Sequence, residues 1–120
     1  MLGIRRSKMK VRLVSAEPWI SQPSVALDEL PAIVGRTAQA DVRLDDQWVS
    51  RTHCEISELS GMLIVRDLES RNGTFVNGEC VREAHLMPGD KLTVGMTSFE
   101  ARYRPGKANR QPASGIIAHA

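Results

Sequence analysis

Short runs that alternate apolar and polar residues constrain the fold of this chain more than any other feature. Alternation with a period of two is typical of β-strands with one buried face. It occurs at 10–14, 42–44, 54–57 and 74–76. The continuous apolar run at 62–65 indicates a strand covered on both faces. These runs predict strands of only three to seven residues.

Helices are not indicated by the sequence. No segment holds apolar residues at i, i+3, i+4 and i+7 over three turns, and the best candidate, 25–30, is ended by Pro31, which disfavours the α conformation in the preceding residue. Turn signals lie between the alternating runs: Ser60-Gly61, Asn72-Gly73, Asn77-Gly78 and Pro88-Gly89-Asp90. We therefore predict an all-β fold, an antiparallel sandwich or barrel.

Charge divides the chain into three segments. Residues 1–12 contain five Lys and Arg residues and 102–120 contain four, with no acid in either. Residues 13–101 contain seven basic and fourteen acidic residues, a net charge of −7, although the whole chain carries +2. From about Pro105 the periodicity ends. We predict a basic N-terminal arm at 1–9, a folded domain at 10–104, and a flexible basic tail or linker at 105–120.

Several classes of protein are disfavoured. At 120 residues the chain has room for one domain. Cys54 and Cys80 are too few for a disulfide framework and lack C-x-x-C spacing, and no apolar stretch matches a signal peptide or a membrane span. We expect a cytoplasmic protein with no metal site, no cofactor and no membrane partner.

Three arginines of the acidic segment occupy turn-forming stretches. Arg36 follows Gly35, Arg51 follows Ser50, and Arg71 precedes Asn72-Gly73. If their loops meet at one end of a sandwich, these planar cations could form a site for one phosphate, with hydroxyl, amide and N–H donors completing it. Ordinary solvated loop arginines are the alternative.

Longer motifs surround these residues in a fixed order: 32–36, 41–45, 49–56, 66–78 and 86–90. They contain, in turn, Gly-Arg, Ser-x-x-His, Asn-Gly-Thr and Asn-Gly. This ordered set resembles the forkhead-associated (FHA) domain family over about residues 10–104. The resemblance implies a sandwich of two twisted, mainly antiparallel β-sheets with phosphothreonine-binding loops at one end.

The resemblance also implies individual roles. Arg36 and Ser50 resemble the residues that contact the phosphate, Arg51 and Arg71 those that touch the phosphate or the flanking peptide, and Asn72 the one that hydrogen-bonds the peptide backbone. Four further residues resemble those that hold the loops in shape: Gly35, His53, Gly73 and Asn77.

Plain structural interpretations compete for several residues. Ser50, His53 and Asp67 could suggest a hydrolase, but their spacing and the absence of a nucleophile elbow argue against catalysis. We expect Cys54 in the core and Cys80 half-buried in a strand. We also expect Trp19 and Trp48 to be packing residues, because five aromatic residues are too few for a nucleic-acid stacking platform.

The resulting hypothesis is a non-enzymatic phosphothreonine-peptide-binding module acting in Ser/Thr kinase signalling. Its partners would be a phosphothreonine-containing protein or peptide, a Ser/Thr kinase or that kinase's substrate. A phospho-independent protein–protein assembly domain is the alternative. Nucleic-acid binding through the basic ends is disfavoured because residues 13–101 between them carry a net negative charge.

Overall fold

A computed structural model describes residues 7–17 and 24–106 of the chain. This part contains eleven β-strands and no helix. The strands are β1 (Val11–Ser15), β2 (Ser24–Leu27), β3 (Ala32–Gly35), β4 (Val42–Arg43), β5 (Cys54–Leu59), β6 (Met62–Asp67), β7 (Thr74–Val76), β8 (Glu79–Val81), β9 (Glu83–Leu86), β10 (Lys91–Val94) and β11 (Thr97–Tyr103).

The strands form two sheets that share one hydrophobic core. The six-stranded sheet has the order β2-β1-β11-β10-β7-β8, and the five-stranded sheet has the order β4-β3-β5-β6-β9. β3 and β4 pair in parallel, and the other neighbouring pairs are antiparallel. The predicted all-β sandwich with mainly antiparallel sheets is confirmed, and the segment 25–30 forms no helix.

The alternation seen in the sequence is also the alternation of burial. In β1, Val11 and Leu13 face the core while Arg12 is exposed, and in β5 both Cys54 and Ile56 are buried. In β6, Met62, Leu63 and Val65 are buried and Ile64 is half-buried. Each fully buried aliphatic side chain contributes roughly 1.5–3 kcal/mol of transfer free energy, so the core rather than local propensity determines these strands.

A tyrosine connects the two sheets. The hydroxyl of Tyr103 in β11 donates to the carbonyl oxygen of Leu86 over 2.6 Å and accepts from the N–H of Leu63 over 3.2 Å. Leu63 and Leu86 are partners in the other sheet. One side chain thus joins three strands.

Strand direction separates two ends of the sandwich. The β3–β4, β4–β5, β6–β7 and β10–β11 connections share one end, here called the loop end, because Val94 pairs with Thr74 and Val34 pairs with both Val42 and Cys54. The opposite end holds the β5–β6 turn, where the N–H of Gly106 donates to the carbonyl oxygen of Gly61 over 2.9 Å. The four loops therefore lie at one end of the sandwich, and Ser7 and Gly106 lie at the other.

The cysteines differ in environment. Cys54 is fully buried, and this burial raises the pKa of its thiol from 9.0 to about 12, so it is an unreactive core residue. Cys80 is exposed in β8, so the expectation of a half-buried residue is wrong: β8 is a sheet edge and its side chain faces solvent. Trp19, residues 1–6 of the basic arm and 107–120 of the tail lie outside the described residues.

Candidate functional site

Two backbone hydrogen bonds hold the β3–β4 loop against the β4–β5 loop. The N–H of Arg36 donates to the carbonyl oxygen of Ser50 over 3.0 Å, and that of Thr37 donates to Arg51 over 3.3 Å. The approach is close because residue 35 is glycine: a Cβ there would overlap the carbonyl oxygen of Arg51. Gly35 thus permits Arg36 to lie beside Ser50.

His53 braces the same loop from the interior. Its ring is fully buried, its Nδ1 accepts from the N–H of Ser50 over 3.0 Å, and its Nε2 donates to the carbonyl oxygen of Gly73 over 2.8 Å. Because Nδ1 is an acceptor, the ring is the neutral tautomer protonated at Nε2. The expected bracing role corresponds to these two bonds, which link the β4–β5 and β6–β7 loops.

Side chains complete the connection between these loops. The N–H of Arg71 donates to Oγ of Ser50 over 2.9 Å, and Nδ2 of Asn72 donates to the carbonyl oxygen of Trp48 over 2.8 Å. Within the described residues, the Ser50 hydroxyl accepts this one bond and its own hydrogen is available to donate. Asn72 likewise keeps its carbonyl oxygen and its second amide hydrogen.

Asp67 organises the start of the β6–β7 loop. Its Oδ1 accepts from the hydroxyls of Ser70 over 2.6 Å and Thr74 over 2.7 Å, and its Oδ2 accepts from the N–H of Ser70 over 3.1 Å. Burial alone would raise the pKa of this carboxyl, but the hydrogen bonds from Ser70 and Thr74 outweigh it and hold the pKa below its ordinary value of 3.8. Ser70 in turn accepts from the N–H of Gly73 over 2.9 Å.

A pocket of about 330 Å³ opens where the three loops meet. All five residues that sequence analysis assigned to phosphopeptide binding line this pocket. They are Arg36, Ser50, Arg51, Arg71 and Asn72. Loops separated by up to 36 positions in the chain thus converge on one small volume.

The arginines of this pocket form no ion pair with another residue that the structure describes. Among the described residues, ion pairs join Arg66 to Glu55 and Arg102 to Glu100, and none includes an arginine of the pocket. Nε of Arg36 donates to the carbonyl oxygen of Val49 over 2.8 Å, which orients the guanidinium while leaving its terminal nitrogens for a ligand. Unpaired guanidinium groups beside hydroxyl and amide donors are suited to a phosphate.

The geometry does not assemble a Ser-His-Asp relay. Both ring nitrogens of His53 bond to backbone groups, the Ser50 hydroxyl bonds to the N–H of Arg71, and Asp67 bonds to Ser70 and Thr74. None of these bonds connects the serine hydroxyl to the imidazole or the imidazole to the carboxylate. Proton transfer through such a relay requires both connections.

Four residues of the pocket wall were not predicted from the sequence: Gln47, Trp48, Val49 and Glu69. Trp48 is 51% exposed and lines the pocket, so its expected packing role is wrong. Its carbonyl oxygen accepts from Asn72. Glu69 also lines the pocket, with a left-handed φ of 59°. Glu69 lies within the 66–78 motif but outside its Asn-Gly-Thr and Asn-Gly signatures, so the sequence gave no signal for its place in the pocket wall.

Asn77 lies elsewhere. It follows β7, whereas Asn72 precedes β7, and its side chain accepts from the N–H of Lys91 over 2.9 Å and donates to Asp90 over 3.0 Å. Its φ of 52° suits the tight β7–β8 turn. Asn77 thus holds the far end of β7 to β10, and its role in supporting the pocket stays a prediction.

The FHA domain family profile matches residues 32–95, which include the three pocket loops. The chain belongs to the FHA domain family. Among curated proteins, the FHA domain-containing protein FhaB of Mycobacterium tuberculosis is 31% identical over 104 residues, which are 85% of this chain and 67% of FhaB. The chain thus spans about two thirds of that relative.

Solved FHA structures share the fold. One, from a study of phosphothreonine-dependent FHA domain interactions, is 35% identical with a TM-score of 0.72, covering 80% of this chain and 98% of its own. The FhaA FHA domain complexed with the intracellular domain of Rv3910 is 36% identical with a TM-score of 0.69, covering 77% and 99%.

Metal-binding clusters and membrane-spanning helices are both absent from the part of the chain that the structure describes. Within residues 7–17 and 24–106, no group of three or more His, Cys, Asp and Glu side chains is arranged to hold a metal ion. In the same residues, no helix has the length and apolar character to cross a bilayer.

Proposed function

We propose that this FHA domain binds phosphothreonine-containing segments of partner proteins and so mediates phosphorylation-dependent association in Ser/Thr kinase signalling. The carrying observation is the convergence on a single pocket of one serine hydroxyl, one asparagine amide and three arginines that form no ion pair within the described residues. The similar FHA structure from the study of phosphothreonine-dependent interactions supports the choice of ligand.

The proposed roles follow from which groups remain available. Arg36 and the Ser50 hydroxyl would donate to phosphate oxygens, since the Arg36 Nε and the Ser50 Oγ lone pair are already bonded within the protein. Arg51 and Arg71 would add positive charge to a group carrying nearly two negative charges at neutral pH. Asn72 would bond to the peptide backbone beside the phosphothreonine.

The proposed activity is binding without catalysis, because the hydrogen bonds of Ser50, His53 and Asp67 hold loops in place. The proposal extends to the domain limits 10–104 and to action in the cytoplasm. Two free cysteines support the latter, since disulfides are uncommon in reducing compartments. The proposal identifies the kinase only as one that phosphorylates serine or threonine, and the partner only as a protein that carries phosphothreonine.

Calorimetric titration tests the proposal with three peptides that differ at one residue, carrying phosphothreonine, threonine or phosphoserine. We expect binding of the phosphothreonine peptide and a roughly ten- to hundredfold loss with Arg36→Ala, the range for one charge-assisted hydrogen bond. Arg102→Ala, which removes the same charge from the opposite end of the sandwich, is the matched control. Equal affinity for the three peptides would instead identify a phospho-independent assembly domain.

A further inference from the structure

A groove with three cations lies on the outer face of the six-stranded sheet, where the exposed residues of β1 and β11 alternate with core residues. Its volume is about 540 Å³, and it is lined by Lys10, Val11, Arg12, Ala26, Asp28 and Arg102. β11 runs away from the loop end, and Arg102 follows Thr97 by five positions, which is roughly 17 Å of extended chain. The groove is therefore separate from the pocket formed by the loops.

Sheet register places two arginines of this groove directly opposite each other. Arg12 of β1 pairs with Arg102 of β11, and Ala26 of β2 lies on the other side of Arg12. Cβ atoms at such positions are about 4.5–5.5 Å apart, and like charges there destabilise a sheet. Violations of this kind are expected at functional sites, where a ligand rather than the fold gains from the arrangement.

Most of the positive charge in the groove is not neutralised within the described residues. Lys10 and Arg12 form no ion pair there, and Nη1 of Arg12 donates to the hydroxyl of Ser24 over 3.2 Å. Arg102 pairs with Glu100 over 3.2 Å, but the two side chains are 58% and 43% exposed. Exposed pairs of this kind are weak and are readily exchanged for another partner.

We propose that this groove binds an acidic segment of a partner protein, at a site distinct from the proposed phosphothreonine pocket. Alternate side chains of an extended segment lie on one face about 6.6 Å apart. Lys10 and Arg12 are also two positions apart and line the same groove. Carboxylates at alternate positions of the segment can thus meet both cations, and the planar guanidinium of Arg102 can hold a further carboxylate through two hydrogen bonds.

The lining of the groove favours a protein segment over a nucleic acid or a membrane. None of the lining residues that the structure describes is aromatic, so bases find no stacking surface. Asp28, the one acid among them, interrupts the positive surface and repels a continuous phosphate backbone or a layer of anionic headgroups. A short segment with a few carboxylates can avoid Asp28. The small side chain of Ala26 leaves room for such a segment beside Arg12.

The test uses an unphosphorylated, fluorescently labelled peptide in which glutamate alternates with threonine, and the same peptide with glutamine in place of glutamate. Fluorescence anisotropy measures binding to the full chain. We expect the glutamate peptide to bind, the glutamine peptide not to bind, and added salt to weaken the complex. Arg12→Gln/Arg102→Gln should lower the affinity for the glutamate peptide about two- to thirtyfold, the range for two exposed charge pairs.

Arg66→Gln/Arg82→Gln is the matched control. Arg66 is exposed and paired with an acid, as Arg102 is, and Arg82 is exposed, as Arg12 is, but neither lines the groove. This variant loses the same charge and should keep the wild-type affinity. Because Arg12→Gln/Arg102→Gln removes a like-charge pair, it should resist urea at least as well as the control, so weaker binding is not a sign of unfolding.

Four results would overturn the proposal. Equal binding of the two peptides would show that carboxylates are not recognised, and equal losses in the two double variants would show that the groove is not the site. Displacement of the glutamate peptide by a phosphothreonine peptide, or a greater loss with Arg36→Ala than with Arg12→Gln/Arg102→Gln, would place the acidic segment in the other pocket. Tighter binding of a single-stranded oligonucleotide or of phosphatidylserine vesicles, abolished by Arg12→Gln/Arg102→Gln, would assign the groove to that ligand. Failure of phosphothreonine binding alone would refute the proposed function and leave the groove standing.

Discussion

The N–H of Arg71 donates to the hydroxyl oxygen of Ser50 over 2.9 Å, linking two loops 21 residues apart. Ser50 is thus both a proposed phosphate donor and the attachment point of the β6–β7 loop. A loss of binding after its substitution has two sources, a missing ligand contact and a loop that has lost its position.

These sources can be separated with Ser50→Ala. We expect phosphothreonine-peptide affinity to fall about ten- to hundredfold and amide hydrogen exchange at Arg71 to accelerate in the free domain. Nuclear magnetic resonance measures both. If exchange at Arg71 stayed at the wild-type rate, the bond seen here would not hold the loop in solution.

His53→Ala should destabilise the fold as well as the pocket. The substitution leaves the N–H of Ser50 and the carbonyl oxygen of Gly73 without their buried partner and creates a cavity. Because of both effects, we expect the free energy of unfolding to decrease by about 2–4 kcal/mol. Urea denaturation measures the decrease. The exposed His85→Ala is the control, with an expected change within about 0.5 kcal/mol; similar effects of the two would contradict a bracing role.

Gly35→Ala tests the close approach of the β3–β4 and β4–β5 loops. The added methyl would overlap the carbonyl oxygen of Arg51, so we expect a loss of at least about 2 kcal/mol in stability together with weaker peptide binding. Gly78→Ala is the control. Its φ of 86° strains the backbone of any residue with a side chain, but no atom lies within 4 Å of the added carbon, so there is no clash. It should cost about 1 kcal/mol and leave peptide affinity unchanged.

Asp67 predicts a pH dependence of stability. Its pKa in the folded protein is below the ordinary value of 3.8, so folding favours the ionised form and the stabilisation is fully present above that value. The difference in unfolding free energy between the wild type and Asp67→Asn should therefore be constant near neutral pH and shrink as pH falls from about 3.8 through the folded-state pKa. Urea denaturation at a series of pH values measures it. An equal difference at every pH would show that ionisation of Asp67 contributes nothing, and Asp45→Asn, at an exposed position, serves as the control.

Some strands and pocket residues could be predicted from the sequence, and others could not. Alternation located most of β1, β5 and β7 because the core imposes a period of two on any strand that it buries on one side. The edge strand β8 was harder, since a strand at the border of a sheet has fewer neighbours to bury its side chains. The exposure of Cys80 follows from that position.

Ordered motifs were enough to identify five residues that line the pocket, but not the rest of the pocket wall. Tryptophan is usually a buried residue, so nothing in the sequence marked Trp48 as exposed. The contact of Asp46 with the N–H groups of both Trp48 and Met96 joins positions 50 apart. The separation of Asn77 from Asn72 is likewise a consequence of the direction of β7. Such relationships depend on long-range pairing and have no local sequence signal.

The positions of residues 7 and 106 relative to the pocket have a practical consequence. Ser7 pairs with Leu30, and Gly106 bonds to Gly61, at the end of the sandwich opposite the arginines. A label, a solid support or a fused protein joined at either position would therefore point away from an arriving phosphopeptide. The domain can be immobilised or tethered through these positions with its recognition loops facing the solution.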